Sequence, residues 1–322
     1  MATVIVFGPT GHVGSAVAQT AHAYGASKVV LAMRDPSKPI PGLTPALEAA
    51  RAFQRVRADF SDLASVAAAV TTTGATRAFL YIQHGSPDHM RGVIDALHAS
   101  GIQFVVFLSS LTIPRGTDLA AVSVQPDPIS WAHAQVELNL GAVFGAKGFA
   151  AVRPAFFATN TFTWWGDALA TGEIGMVAPD LAVDWITPDD IGKVGAAILG
   201  AGTVKEGDDE AVCLVGPQNV PLRDGAVAIA RAAFPEKGEL VVKQVTADEQ
   251  VEALVARGMP PHIARHIAES LAKLQDPQED GLNWMPEGHA WETAVAAVER
   301  YTGEPPMTLP QWIEKYKGQF RP

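Results

Sequence analysis

The chain has 322 residues, 48% of them hydrophobic and 18% charged, which suits a soluble globular protein with one large core or two modest ones. A formal net charge of -10 without any run of lysine and arginine argues against a nucleic-acid or anionic-membrane surface. The single cysteine, Cys213, excludes an intrachain disulfide and offers no zinc set; in the apolar run AVCLVG it reads as a structural thiol.

The start MATVIVFGPTG lacks the basic flank and long apolar stretch of a signal peptide, and no later segment has the length of a membrane span. A cytosolic protein is expected, with a small-molecule substrate, no nucleic-acid or membrane partner, and a monomeric or homodimeric state.

The first half alternates short β-branched runs with Ala-rich segments, as βαβ units do. Strands are predicted at Thr3 to Phe7, Lys28 to Met33, Phe53 to Ala58, Arg77 to Ile82, Phe104 to Ser109 and Phe149 to Arg153. Helices are predicted near 13 to 24, 62 to 72, 87 to 99 and 130 to 146. The fold class is α/β: a Rossmann-type doubly wound parallel sheet with a smaller, interleaved C-terminal α+β substrate domain. The first domain spans residues 1–153 and is completed by about 184–215, where DDIGKVGAAILG is helical and Ala211 to Val215 a late strand. Residues 154–183 and 216–322 form the smaller domain.

The first strand runs into Gly8-Pro9-Thr10-Gly11-His12-Val13-Gly14 and then a helix. A glycine loop in that context cradles a pyrophosphate: Gly8 makes the turn, Gly11 admits the phosphates, Gly14 lets helix and strand approach, and the helix start offers N–H groups. The second strand ends in Met33-Arg34-Asp35, with Lys38 close behind. A cation there answers a ribose 2′-phosphate, so NADP(H) is favoured over NAD; Asp35 lies past the ribose. Asp59 and Phe60 fall where the adenine pocket is built, with Asp59 or Ser61 also suited to cap the next helix.

After the fourth strand, Tyr81-Ile82-Gln83-His84 passes the nicotinamide-side ribose, with Ile82 and His84 assigned to the cofactor and Tyr81 to the substrate pocket. Ser109 and Ser110 close the fifth strand at its carboxyl end, where a ribose or substrate hydroxyl is met; they serve equally well to cap the strand. Ser109 is assigned to the cofactor and Ser110 to the substrate side. Phe156, Phe157, Asn160, Trp164 and Trp165 crowd one segment. Such a wall suits a flat apolar substrate, with Phe156 beside the cofactor; an interdomain core would claim some of the same rings. His262 and His266 stand one turn apart without a third ligand, so no metal is expected.

The segments GPTGHVG (8–14), RADFSD (57–62), VVFLSSL (105–111), AVRPAFFATN (151–160), DWITPDDIG (184–192), LVGPQNV (214–220) and YTGEPPMTLPQWIEKY (301–316) occur in an order and spacing that resemble the NmrA-like family of atypical short-chain dehydrogenases from end to end. The resemblance implies a Rossmann domain holding NADP(H) and a small domain closing over a substrate cleft. The family includes quinone, triphenylmethane, isoflavone and alkaloid iminium reductase-like enzymes, and regulators that bind the dinucleotide without turning it over.

Short-chain dehydrogenases of the common type protonate the product through Tyr-x-x-x-Lys. Aligning Glu137 with the glutamate four residues after that lysine puts His133 at the lysine position and Ile129 at the tyrosine position, so the pair is absent. Two readings stand. His133, with Ser110, is the acid or a ribose-binding donor, with Trp131 on the same helix lining the pocket; or the acceptor needs no acid, as an iminium or quinone methide does not. The function expected is an NADPH-dependent reductase of a small apolar, aromatic or alkaloid-like electrophile: a quinone, enone, imine or carbonyl. The alternatives are a non-catalytic NADP(H) sensor and a non-redox isomerase or cyclase.

Overall fold

A computed structural model describes residues 2–113, 116, 118–125, 127–166, 168–206, 208, 211–275 and 288–320. In chain order the elements are β1 (Ala2–Phe7), α1 (His12–Thr20), β2 (Ala26–Met33), α2 (Pro45–Ala50), β3 (Phe53–Arg57), α3 (Leu63–Thr73), β4 (Arg77–Tyr81), α4 (Arg91–Ala99), β5 (Phe104–Leu108), α5 (Pro128–Phe144) and β6 (Phe149–Pro154). There follow α6 (Asn160–Trp164), α7 (Ala168–Thr171), β7 (Glu173–Met176), β8 (Ala182–Val183), α8 (Pro188–Ala201), β9 (Ala211–Leu214), β10 (Val220–Pro221), α9 (Leu222–Ala233), β11 (Val241–Gln244), α10 (Ala247–Ala256), α11 (Pro261–Gln275), α12 (Gly288–Thr302) and α13 (Leu309–Tyr316).

The chain divides into two compact units. The first comprises Met1–Pro154, Pro188–Leu214 and Thr293–Pro305; the second comprises Ala155–Thr187, Val215–Glu292 and Pro306–Pro322. The sequence reading had kept the whole run from 216 to 322 together. Tertiary bonds place Thr293–Pro305 in the first unit: the Tyr301 hydroxyl donates to Asp208 at 2.6 Å and accepts from the Lys205 amide at 3.0 Å, and Lys193 pairs with Glu304 at 2.5 Å. No hydrophobic pattern announces such contacts.

The first unit is built on a seven-stranded parallel sheet in the order β3-β2-β1-β4-β5-β6-β9. All six strands expected before residue 155 are present within two residues of their expected bounds. Their near-continuous apolar runs follow from burial on both faces: Val4, Ile5, Val6, Val29, Val30 and Leu31 are fully buried. One face meets α3, α4 and α5 through Val70, Ile94, Leu97, Val136 and Leu140. Elsewhere α1 and α8 approach so closely that a Cβ on Gly192 would lie 2.3 Å from the Ala16 Cβ. The chain reverses its direction of winding between β1 and β4, and a crevice beyond the carboxyl ends of the strands at such a point is where ligands bind in these sheets.

Local chemistry explains where helix bounds depart from expectation. Helix α4 begins at Arg91 rather than near 87 because His89 and Met90 take left-handed φ values of 51° and 63°, in a turn tied by the Met90 amide to the Ser86 hydroxyl at 3.0 Å. Helix α5 begins at Pro128 because Asp127 caps it, accepting from the amides of Ile129 (2.9 Å) and Ser130 (3.1 Å).

The second unit has its own core, formed by Phe156, Trp165, Trp185, Ile229, Trp312 and Phe320 among others. It contains two small sheets, β7 with β11 in parallel and β8 with β10 antiparallel; an α+β unit is expected from the sequence, but none of these strands is located by it. Strands of two to four residues are too short to show an alternating pattern.

Candidate functional site: a dinucleotide cradle and its flanks

The glycine loop has the geometry that phosphate binding needs. Gly8 adopts φ 68°, and the Gly11 amide donates to the Gly8 carbonyl at 3.1 Å, closing the turn into α1. A Cβ on Gly14 would stand 2.2 Å from the Gly8 carbonyl oxygen, so only glycine lets helix and strand meet here. Helix α1 has no side-chain cap and no acid in its first turn, which leaves its positive end open to an anion. Thr10, Gly11 and His12 are exposed, whereas the side chain of Val13 is buried, which leaves only its backbone to face a ligand. Replacing Gly14 with alanine is expected to force loop and helix apart. NADPH titration should show affinity reduced about a hundredfold or more, and binding within about threefold of wild type would refute the fit described here.

At the other end of the cradle, Arg34 and Lys38 are exposed on the loop after β2, and Asp35 is occupied locally, accepting from the Ser37 amide and hydroxyl. Asp59 accepts in the same way from the hydroxyl (2.7 Å) and amide (3.0 Å) of Ser61. These bonds, aided by the nearby charge of Arg34, hold its pKa below the ordinary carboxylate range. The cap of α3 is neither Asp59 nor Ser61 but Asp62, which accepts from the Ser65 amide at 3.2 Å. Phe60 lies 5.2 Å from the Phe7 ring and 5.4 Å from Tyr81, centroid to centroid.

Tyr81, expected in the substrate pocket, has its ring over Gly8, where an added Cβ would come within 2.5 Å of Cε1, and stands 5.4 Å from the Phe60 ring with the charge of Arg34 nearby. Burial raises its phenol pKa, so it stays neutral at physiological pH. A bare-backbone turn at an uncapped helix, followed by exposed cations beside two aromatic rings, fits a dinucleotide with an adenosine 2′-phosphate.

At the carboxyl ends of β4 and β5 the geometry revises the remaining assignments. His133 on α5 is buried, with Nδ1 2.9 Å from the Ile129 carbonyl oxygen. A carbonyl only accepts, so Nδ1 carries the proton and Nε2 keeps a lone pair. Burial pushes the imidazole down to about 4, the nearby His84 adding to the shift. With its one N–H directed at the backbone, a neutral His133 has no proton positioned for a substrate, which counts against the general-acid role expected of it. What Nε2 offers is an acceptor. His84 lies 6.3 Å from His133, centroid to centroid, its own pKa lowered by desolvation, and Ile82 packs against the sheet core.

Ser109 is buried and donates its hydroxyl to Glu137 Oε1 at 2.5 Å, so that proton is not available to a ribose as assigned. Glu137, which served only as an alignment landmark, is the centre of a buried network: Arg153 grips it with Nε at 3.0 Å and Nη2 at 2.5 Å. Ser110 is half-buried, with its hydroxyl 2.8 Å from that of Thr112. Trp131 stacks edge-on with His89 at 4.7 Å, at the start of α4.

The aromatic segment lies in the second unit. Phe156 is buried, its ring 5.3 Å from Trp164 and 5.4 Å from Trp185; it is a core residue and not the cofactor contact expected of it. Trp165 is likewise buried in that core. Phe157, Asn160 and Trp164 remain partly exposed and are the members of the proposed wall still open to a ligand. The same unit holds Asp184, also missed, whose carboxylate accepts from the amides of Phe156, Ile186 and Gly216. Among the described residues there is no group of three metal-ligating side chains, and no helix is long and apolar enough to cross a membrane. Cys213 is half-buried on β9, at one edge of the seven-stranded sheet.

Residues 8–150 match the model of a family described as NAD(P)H-binding. A nitrogen metabolite regulation-like protein of Gibberella fujikuroi is 35% identical to this chain, with 97% of this chain and 95% of that protein covered. Among solved structures, the NADPH-dependent quinone oxidoreductase of Escherichia coli complexed with NADPH is similar with a TM-score of 0.67 at 21% identity, covering 97% of this chain and 99% of that one. The triphenylmethane reductase of Citrobacter sp. complexed with NADP(H) has a TM-score of 0.69 at 15% identity, covering 98% and 99%. At those identities the two structures establish a common fold.

Proposed function

The chain belongs to the NmrA-like family of atypical short-chain dehydrogenases, and from that premise we propose that it is an NADPH-dependent reductase of a small apolar electrophile, aromatic or alkaloid-like. Within that class the reading favours acceptors that take hydride without a proton from the protein: iminium ions, quinone methides and related conjugated cations. The observation that carries it is the state of His133, neutral and with its only N–H held by Ile129 at the position where the common type keeps its lysine.

NADPH, when bound, supplies a hydride. The chain's own residues bind and orient. Gly8, Gly11 and Gly14 with the start of α1 hold the pyrophosphate, Arg34 and Lys38 answer the 2′-phosphate, and Phe60 and Tyr81 border the adenine. His133 Nε2 accepts a hydrogen bond from a hydroxyl near the strand ends. Phe157, Asn160 and Trp164 are the second unit's candidates for substrate contact.

The test is NADPH consumption by the purified chain against quinones, enones, imines and triarylmethane dyes, with His133→Ala in parallel. We expect turnover of an iminium or triarylmethane cation, with kcat/KM level from about pH 5.5 upward because His133 titrates at about 4. The variant should lie within about tenfold of wild type; a loss of about a hundredfold or more would restore an acid or base role to the imidazole. A regulatory reading is favoured by the 35% identity to the nitrogen metabolite regulation-like protein. Tight NADPH binding with no turnover of any compound would favour that reading or the non-redox isomerase or cyclase over a reductase.

A further inference from the structure

The cations assigned to the 2′-phosphate stand on an exposed loop, where long side chains lose much conformational freedom on capturing a ligand. The backbone beneath them is held by a pair of residues outside the loop. Arg55, on β3, donates from Nη1 to two carbonyl oxygens of that loop, Pro36 at 2.7 Å and Lys38 at 2.6 Å. Its guanidinium is fixed by Glu48 on α2 in a two-point fork, Nε to Oε2 at 2.8 Å and Nη2 to Oε1 at 2.7 Å. Both side chains are mostly buried, at 25% and 15% exposure. The short helix that carries Glu48 is capped by the Thr44 hydroxyl, which accepts from the Leu47 amide, with Pro45 at its first position. The next part of the loop is tied to α1 by Gln19, whose Nε2 donates to the Pro41 carbonyl at 3.0 Å.

We propose that the Glu48–Arg55 fork is the positioning element for 2′-phosphate selectivity, holding the backbone between Arg34 and Lys38 so that both cations stand ready for the phosphate. The proposal rests on the NADP(H) reading. Because Glu48 neutralises Arg55 at contact distance, the pair adds little attraction of its own; its contribution is preorganisation, which strengthens binding by reducing the ordering cost. Among the described residues, the hydrogen-bond partners of the Arg55 guanidinium are two loop carbonyls and the Glu48 carboxylate.

The test measures binding of adenosine 2′,5′-bisphosphate and adenosine 5′-monophosphate to the full chain by calorimetry. Wild type is expected to prefer the bisphosphate, and Arg34→Ala with Lys38→Ala to abolish that preference. Glu48→Leu should weaken the bisphosphate about tenfold while leaving the monophosphate within about twofold, and Arg55→Leu should do the same. Glu48→Leu separates positioning from charge, because removing an anion near a phosphate would by electrostatics alone tighten binding. Unchanged or tighter bisphosphate binding in Glu48→Leu overturns the proposal. An equal loss for both nucleotides also overturns it, since the fork would then support the domain at large. A wild type that does not distinguish the two nucleotides overturns the NADP(H) reading itself, which the Arg34 and Lys38 variants report independently of the fork.

Discussion

Asp184→Ala is expected to destabilise the second unit by about 3–5 kcal/mol, because it strands three buried backbone donors at once. The carboxylate of Asp184, 1% exposed, accepts from the Phe156 amide on Oδ1 at 2.8 Å and from the Ile186 (3.2 Å) and Gly216 (2.8 Å) amides on Oδ2. Each of these segments lies within two residues of a point where the chain enters or leaves the unit. The site is tight on all sides: a Cβ on Gly216 would lie 1.9 Å from the Asp184 carbonyl oxygen, and Trp185 is held at φ 54° with its indole N–H on the Val220 carbonyl at 2.9 Å. Denaturant unfolding followed by tryptophan fluorescence checks this, since Trp165, Trp185 and Trp312 are buried in this core. A loss below about 1 kcal/mol would show that the three amides find other partners.

The same carboxyl makes a pH prediction. Burial pushes Asp184 up to about 7, against the pull of its three N–H donors. In the unfolded chain it titrates near 4, so between about pH 4 and about pH 7 the folded state holds a proton that the unfolded state has released. The contribution of this group to stability is therefore full below about 4 and falls as pH rises to about 7. The stability difference between wild type and Asp184→Asn should narrow across that window. A difference that widens with rising pH would mean that the amide donors outweigh desolvation and that the anion is the stabilising form.

Arg153→Met is the second large effect, with an expected cost of about 3–5 kcal/mol in the first unit. Arg153 and Glu137 are 8% and 1% exposed at the side chain, and their paired bonds join β6 to α5, with Ser109 at the end of β5 completing the network. Removing the guanidinium leaves a buried carboxylate with one hydroxyl for company. Replacing both charges, as Glu137→Leu with Arg153→Met, removes the desolvation penalty together with the attraction, so the double variant should recover to within about 1–2 kcal/mol of wild type. If the double variant is as unstable as the sum of the singles, the residues act independently and the network reading fails.

Much of the first unit was legible along the chain because its signals are local. Continuous β-branched runs mark strands buried on two faces, and Gly8, Gly11 and Gly14 at a strand-to-helix turn state a backbone requirement that the Gly8 carbonyl enforces. The positions of Arg34 and Lys38 in the loop after β2 were readable for the same reason.

What the sequence could not decide are the states of side chains whose partners lie far along the chain. His133 was located correctly on its helix, but its burial and the direction of its N–H, which count against the acid role, appear only when α5 packs against Phe107 and His84. The ring of Tyr81 comes to lie over Gly8 because β4 pairs with β1, a neighbour that the local sequence does not announce. Phe156 and Trp165, alike in sequence to Phe157 and Trp164, are withdrawn into a core completed by Trp185 and Trp312 from distant segments. Arg153 and Asp184 lie in segments that carry the family resemblance and Glu137 is its alignment landmark, but nothing in those segments states what they pair with, and the Glu48–Arg55 fork carries no motif at all. Strand periods and glycine turns depend on neighbours along the chain and can be read there; burial, protonation and ion pairing depend on neighbours in space, and only the tertiary structure supplies them.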